Sequence, residues 1–312
     1  MQEFDAGVAL ARGQAAFGSG DYTLAATYFT QVITLNPNDA KAYSERGTCY
    51  GCNGDVGKAI ADFTEAIRLD PQFVKAYCDR GTTHSNSGEH AFAIADFTEA
   101  IRLDPKCIAA YYNRGVSYDN KGEYDKALSD YTEVIRLAPK FALAYYNRGD
   151  AHYKKGECDK AIVDFTEAIR LDPNATMAYY ERSLAHGIKG EHDKVIADCT
   201  EAIRLNPTHV AAYYTRGFAY DLKGDLDTAI ADFTEAIRLD PSNANAYHYR
   251  GVSYGKKGEY DKADSDFTET IRLDPHNAEA YHNRAAVYEQ KGEKAKAKTD
   301  FDQATKLGFS RQ

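Results

Sequence analysis

One tripeptide recurs along this chain at a fixed interval. Leu35-Asn36-Pro37, Leu69-Asp70-Pro71, Leu103-Asp104-Pro105 and Leu137-Ala138-Pro139 are spaced by 34 residues. Leu171-Asp172-Pro173, Leu205-Asn206-Pro207, Leu239-Asp240-Pro241 and Leu273-Asp274-Pro275 continue the series, and it contains all eight prolines of the chain. A ninth copy ends Leu307-Gly308-Phe309 without proline. A period of this length argues against one central core. Each copy is a small supersecondary unit that buries its apolar side against the copies beside it. The expected domain plan is a single array over 1–312, with repeats at 6–39, 40–73, 74–107, 108–141, 142–175, 176–209, 210–243, 244–277 and 278–311.

Each copy reads as two helices. In the fourth repeat the first helix is expected over roughly 109–121, with Tyr111, Gly115 and Tyr118 on one face at helical spacing. Gly122 follows as a stop, where a left-handed conformation is easily adopted. Glu123 and Asp125 then stand near the start of a second helix, whose dipole favours negative charge. That helix carries Ala127, Tyr131, Val134 and Leu137 on one side, and Pro139 prevents its continuation. Glycine holds the stop position in every copy, from Gly20 to Gly292. Alanine holds a second-helix position in every copy except the sixth, which has Val195; an aromatic follows four residues later except at Cys199. A small residue lets two helices approach closely and a ring fills the space beside it. The sixth repeat combines Ser183, Val195 and Cys199 at positions that elsewhere favour Gly, Ala and Phe, and is expected to be the weakest internal unit.

In the fifth repeat Tyr145, Arg148, Gly149, His152, Ala161, Phe165, Ala168 and Pro173 fall at offsets that resemble those of the tetratricopeptide repeat family. Two departures stand out. Tyrosine replaces the family's tryptophan at the fourth position, and arginine replaces its leucine at the seventh in all nine copies, from Arg12 to Arg284. The fold this resemblance implies is all-α: an α-solenoid, a right-handed superhelix of nine helix-turn-helix repeats. First helices would line its concave side.

The repeated arginine needs a partner. An aspartate lies sixteen residues after it in eight copies, as with Arg114 and Asp130 or Arg148 and Asp164; the first copy has Tyr28 there. One expectation is a half-buried, charge-assisted pair between the two helices of a repeat. The alternative is a row of anion-binding arginines.

By the resemblance, function would sit on the concave face as the binding of a peptide or protein segment. The fifth position of successive repeats carries Tyr112, Tyr146, Tyr180 and Tyr214. Tyrosine offers a large contact area with few rotors and a polar tip, so this row is read either as a binding platform or as packing between repeats. Asn113 and Asn147 at the sixth position resemble the asparagine ladder of O-linked N-acetylglucosamine transferase, whose amides hold a peptide backbone. Asp119, Asp150, Asp221 and Phe218 complete the expected concave contact set, and the carboxylates favour a partner with some basic character.

Composition excludes several other classes. A net charge of −9 is wrong for a general nucleic-acid binder and for electrostatic attachment to an anionic membrane. No stretch approaches the apolar length of a membrane span, and no signal peptide is visible. The six cysteines read as scattered thiols, which mildly favours a reducing compartment and a cytoplasmic location. Cys49 and Cys52 form a C-x-x-C pair late in a first helix, with no strand before it to suggest a redox motif. His248 and His282 hold equivalent positions one repeat apart, roughly 10 Å by the spacing of packed helices, too far to share a metal ion. No phosphate-binding loop or nucleophile elbow is present. The chain is therefore expected to be a non-catalytic interaction scaffold without cofactor or metal. Two alternatives stay open: a self-assembling structural protein that forms a homo-oligomer through the ends of the array, or a targeting module of a larger enzyme or complex.

Overall fold

A computed structural model of the chain describes residues 5–309, so the last two positions of the ninth repeat, 310 and 311, lie outside it. Eighteen α-helices and no strand occur among the described residues. First helices are α1 (Ala6–Gly18), α3 (Ala40–Cys52), α5 (Val74–Asn86), α7 (Ile108–Asn120), α9 (Ala142–Lys154), α11 (Thr176–Ile188), α13 (Val210–Lys223), α15 (Ala244–Lys256) and α17 (Ala278–Gln290). Second helices are α2 (Tyr22–Leu35), α4 (Val56–Leu69), α6 (His90–Leu103), α8 (Tyr124–Leu137), α10 (Cys158–Leu171), α12 (His192–Leu205), α14 (Leu226–Leu239), α16 (Tyr260–Leu273) and α18 (Lys294–Lys306). The helices gather into two compact units, one ending at Gly156 and the other beginning at Glu157. This division falls inside the fifth repeat, between α9 and α10.

Local chemistry explains the punctuation. Gly122 has φ +73°, and the other stop glycines are left-handed too. The following amide closes the turn, as where Glu123 N donates to Tyr118 O at 2.9 Å. Where Asp or Asn precedes the proline, it ends the second helix with an Asx turn: Asp70 Oδ1 accepts from Gln72 N and Asp104 Oδ1 from Lys106 N, both at 3.0 Å. Proline then fixes φ and removes the donor a longer helix would need. Several first helices start on a side-chain cap, such as Asp39 Oδ1 to Ala42 N at 3.0 Å.

Inside a repeat the two helices meet where glycine faces a ring. A Cβ added at Gly115 would lie 2.8 Å from Tyr131 Cε1, and one at Gly47 or Gly81 would lie 2.9 Å from the ring of Phe63 or Phe97. Only glycine lets these helices approach so closely. The sixth repeat solves the same contact with different atoms. Ser183 fills the glycine site, Cys199 replaces the ring, and Cys199 Sγ donates to Ser183 Oγ at 3.2 Å. Both are fully buried and Val195 is buried beside them. The space is filled, but a thiol buries less apolar area than a phenyl ring and contributes correspondingly less.

The arginine row ties neighbouring repeats together. Arg114 donates from Nε to Asp130 Oδ2 at 2.8 Å and from Nη2 to Asp130 Oδ1 at 2.7 Å. Its Nη1 donates to Thr98 Oγ1, in the second helix of the preceding repeat, at 3.0 Å. The Thr98 hydroxyl in turn donates to Ile94 O at 2.7 Å. The guanidinium carbon also lies 5.7 Å from the centre of the Tyr111 ring. One side chain thus joins three helices: α6, α7 and α8. The same three hydrogen bonds recur at Arg46 and Arg80 in the first unit and at Arg182, Arg216, Arg250 and Arg284 in the second. The bidentate bond to Asp130 holds the Arg114 pKa above its ordinary value. In the fifth repeat Arg148 belongs to the first unit, where it donates to Thr132 Oγ1 at 3.2 Å; Asp164 belongs to the second, where it is buried. Arg12, with Tyr28 in the aspartate position, is exposed.

Within each unit the first helices of neighbouring repeats approach one another, α3 with α5, α5 with α7 and α7 with α9, then α11 with α13, α13 with α15 and α15 with α17. Second helices do not approach each other to the same extent. Each unit therefore bends with its first helices on the inside. Removing one member of the Arg114–Asp130 pair leaves a buried charge without its partner, since the side chains are only 16% and 5% exposed. Arg114→Ala or Asp130→Ala is expected to destabilise by about 3 kcal/mol. Thr98→Val, which removes one hydrogen bond, is expected to cost about 1 kcal/mol. Hydrogen exchange of the α7 and α8 amides checks this, and equal protection in all three variants would contradict it.

Candidate partner-binding face

The inner face of each unit is built from first-helix side chains, and most of the sequence-selected residues there are engaged by other side chains of the chain. In the first unit Tyr112 packs on Tyr131 and Phe141, with ring centres 6.2 and 5.1 Å away. Its hydroxyl accepts from Asn147 Nδ2 at 3.0 Å. Tyr146 is half-buried in the same unit, as is Asn113, whose backbone carbonyl accepts from Ser117 Oγ. In the second unit Tyr180 lies against His209, ring centres 4.8 Å apart. Tyr214 packs on Phe233 and Tyr249, and Phe218 meets Tyr249 edge-on at 5.1 Å. Burial, together with Tyr249 alongside, pushes the Tyr214 hydroxyl well above the ordinary tyrosine range. These rings are half-buried wedges between repeats, each with part of its surface still open.

The acidic candidates are neutralised within the chain. Lys154 donates to Asp119 at 2.8 Å and lies 2.7 Å from Asp150. Burial works against the Lys154 charge, but the hydrogen bonds to Asp119 and Asp150 outweigh it and raise its pKa. In the second unit Asp221 is 6% exposed and accepts from Ser253 Oγ at 2.8 Å and from Lys256 Nζ. Asp119 and Asp221 both hold the twelfth position of their repeats, and each lysine comes from the thirteenth position of the next. The pair spans the interval between adjacent first helices.

Three repeats have glycine at that twelfth position, Gly51, Gly187 and Gly255, and at Gly51 and Gly255 the interval stays open. The first unit has a hollow of about 300 Å³ between α3 and α5, with Gly51, Phe63, Thr48, Thr82, Asp79 and Asn86 in its lining. The second has one of about 380 Å³ between α15 and α17, with Gly255, Phe267, Val252, Val287, Asn283 and Gln290. The ring that packs the helix pair becomes part of each apolar floor, and amides or hydroxyls stand at the rim. A Cβ added at Gly51 would meet nothing closer than Ala59 Cβ at 4.0 Å, and one at Gly255 would meet nothing within 4 Å. Sequence reasoning missed both hollows, because their signal is a missing side chain. It also missed the exposed Ile188 and Leu222 at the thirteenth position and Leu143 and Met177 at the second.

Among the described residues no group of three or more His, Cys, Asp or Glu could hold a metal ion. No helix among them is long and apolar enough to cross a membrane. The cysteines are all free thiols. Cys49 is buried and Cys52 exposed, and burial with Cys52 nearby raises the Cys49 thiol to about 11.

Helix hairpins of constant length, most closed by a glycine-on-ring contact and joined to the repeat before by an arginine tie, define an all-α helical-repeat protein of solenoid type. The chain belongs to the tetratricopeptide repeat family. The family's repeat matches residues 10–72, 74–107, 108–141, 142–175 and 178–209, and then 199–231, 222–258, 244–277 and 267–299. Among solved structures it is similar to YrrB, a TPR protein with an unusual peptide-binding site, at 24% identity and TM-score 0.54 over 60% of this chain and 97% of that one. It is also similar to MamA, at 30% identity and TM-score 0.50 over 52% of this chain and 94% of that one. A tetratricopeptide repeat protein from Parabacteroides merdae shares 22% identity and TM-score 0.57 over 80% and 98%. A fold of this class brings no catalytic chemistry of its own.

His248 gives the inner face a pH dependence. It holds the fifth position in the eighth repeat and is 5% exposed, its ring between Tyr249 and Phe267. Nδ1 has no hydrogen-bond partner, and Nε2 lies 3.8 Å from Glu279 Oε2. Burial lowers its pKa below the ordinary 6.5, and the nearby Glu279 carboxylate only partly opposes this. Below that ordinary value the unfolded chain binds a proton that the folded chain refuses, so stability falls as pH drops. Between pH 7 and 5 the melting temperature of His248→Tyr is expected to fall less than that of the parent. Equal losses in a thermal melt would refute the assignment.

Proposed function

We propose that the chain is a scaffold that holds a polypeptide segment against the inner faces of its repeats. The observation that carries this reading is the pair of hollows at Gly51 and Gly255. Each combines an apolar floor with a rim of hydroxyls, a carboxylate or amides at one register of the repeat. Such a hollow suits an apolar side chain, while the rim groups suit the peptide units on either side of it. Exposed Ile188 and Leu222 extend apolar surface along the same row of first-helix positions.

The wider contact surface we assign, unit by unit, to the open parts of Tyr112 and Tyr146 in the first, with Asn113 and Asn147, and of Tyr180, Tyr214 and Phe218 in the second. Asp119, Asp150 and Asp221 border this surface. Their lysine partners leave them little net charge, so apolar anchoring ranks ahead of attraction to a basic partner. The peptide-binding site of YrrB, a protein of the same fold, supports the general mode.

The test uses peptides selected from a random library on the immobilised full chain, with affinities measured by fluorescence anisotropy. Gly51→Leu and Gly255→Leu place a side chain in one hollow each, and a Cβ at either site meets no neighbour closer than 4.0 Å. Replacing a glycine in the last turn of a helix should hold or raise the melting temperature. Peptides seated in a hollow are expected to lose at least about tenfold in affinity for the matching variant, which is about 1.4 kcal/mol. Selected peptides that bind both variants as tightly as the parent would overturn the assignment.

A further inference from the structure

Contact between the fifth position of one repeat and the residue just before the next first helix is a property of this fold. Tyr112 meets Phe141 there and Tyr180 meets His209. In the third repeat the same junction brings two cysteines together. Cys78 lies in α5, Cys107 immediately precedes α7, and their sulfurs are 3.8 Å apart. Both are free and partly exposed. Each is fixed by a helix, and α6 occupies the chain between them. We propose that Cys78 and Cys107 are a redox-sensitive pair that forms an intramolecular disulfide, stapling α5 to the start of α7 at the inner face.

The sulfurs already touch, so closing to a bond of about 2 Å needs side-chain rotation and a small backbone adjustment. The co-reactant is a low-molecular-weight disulfide. Cys107, having lost its proton to water, attacks one sulfur of that disulfide, forms a mixed disulfide and expels one small thiolate. Cys78 then loses its proton and attacks Cys107 Sγ, expelling the second small thiolate. Two protein thiols are oxidised to one disulfide, and the small disulfide is reduced to two thiols, which take up the two protons. Burial pushes the Cys78 thiol up, helped by Cys107 beside it, which disfavours its thiolate as the first attacker. Of the remaining cysteines, Cys49, with Cys52 nearby, is buried, as are Cys158 and Cys199, and Cys52 is exposed. The product closes a loop that includes α6 and lowers the entropy of the unfolded chain. Cys78 stands next to Asp79, which lines the hollow at Gly51, so the staple would stiffen that part of the inner face.

The test incubates the full chain with oxidised glutathione, alkylates remaining thiols, and maps tryptic peptides without reduction. Residues 76–80 carry Cys78 and residues 107–114 carry Cys107. The expected result is a monomer in which these two peptides are joined, reversed by dithiothreitol, with a melting temperature a few degrees above that of the reduced chain. In Cys78→Ser the mixed disulfide on Cys107 should persist and the rise in melting temperature should vanish. The proposal is overturned if the two peptides are recovered separately, alkylated or each carrying glutathione. It is equally overturned if the linkage runs through Cys52 to a second copy.

Discussion

A guanidinium shared among three helices governs how these repeats stack. Arg114 grips Asp130 in its own repeat with two bonds and Thr98 in the repeat before with a third. The bidentate bond fixes the arginine plane, and that plane sets where the third donor points. Packing of alanines and rings supplies the bulk of the burial, but apolar contact has no direction. The arginine tie supplies direction, and its recurrence at the same offsets gives successive repeats the same register. Tyrosine at the fourth position covers the guanidinium, as Tyr111 does for Arg114.

With stacking settled by residues inside the hairpins, the inner face is free to differ from repeat to repeat. The twelfth position shows what that freedom does. Aspartate there recruits a lysine from the next repeat and covers the gap between first helices, as Asp119 does with Lys154. At Gly51 and Gly255 the gap is open. The fifth position shows it again, with a tyrosine wedge at Tyr112, a buried imidazole at His248 and a thiol pair at Cys78. None of these changes disturbs the glycine-on-ring contact or the arginine tie behind it.

Helix pairs, their stops and the family were legible in the sequence because they depend on residues that recur at one spacing: proline, glycine, alanine and the ring. Charge and spacing also pointed from Arg114 to Asp130. The third partner, Thr98, was not legible. A threonine hydroxyl can satisfy itself on the carbonyl four residues back, so nothing about the residue announces an arginine. The hollows were hidden for the opposite reason, since a glycine leaves no positive sign of the space it creates. Cys78 and Cys107 looked scattered because they occupy different positions of the repeat, and only the turn between repeats makes those positions neighbours. The tyrosines stayed ambiguous in the sequence because one ring can serve as wedge and as surface, and their half-buried placement retains both roles.

The central claim is that Arg114 couples a residue of one repeat to a residue of another that it does not touch. A double-mutant cycle on Thr98→Val and Asp130→Asn, read from the exchange protection of α7, measures that coupling directly. If Arg114 is the shared partner, the two losses are not independent, and the coupling energy should reach about 1 kcal/mol. Strict additivity, within about 0.3 kcal/mol, would mean that the repeats are held in register by apolar packing alone.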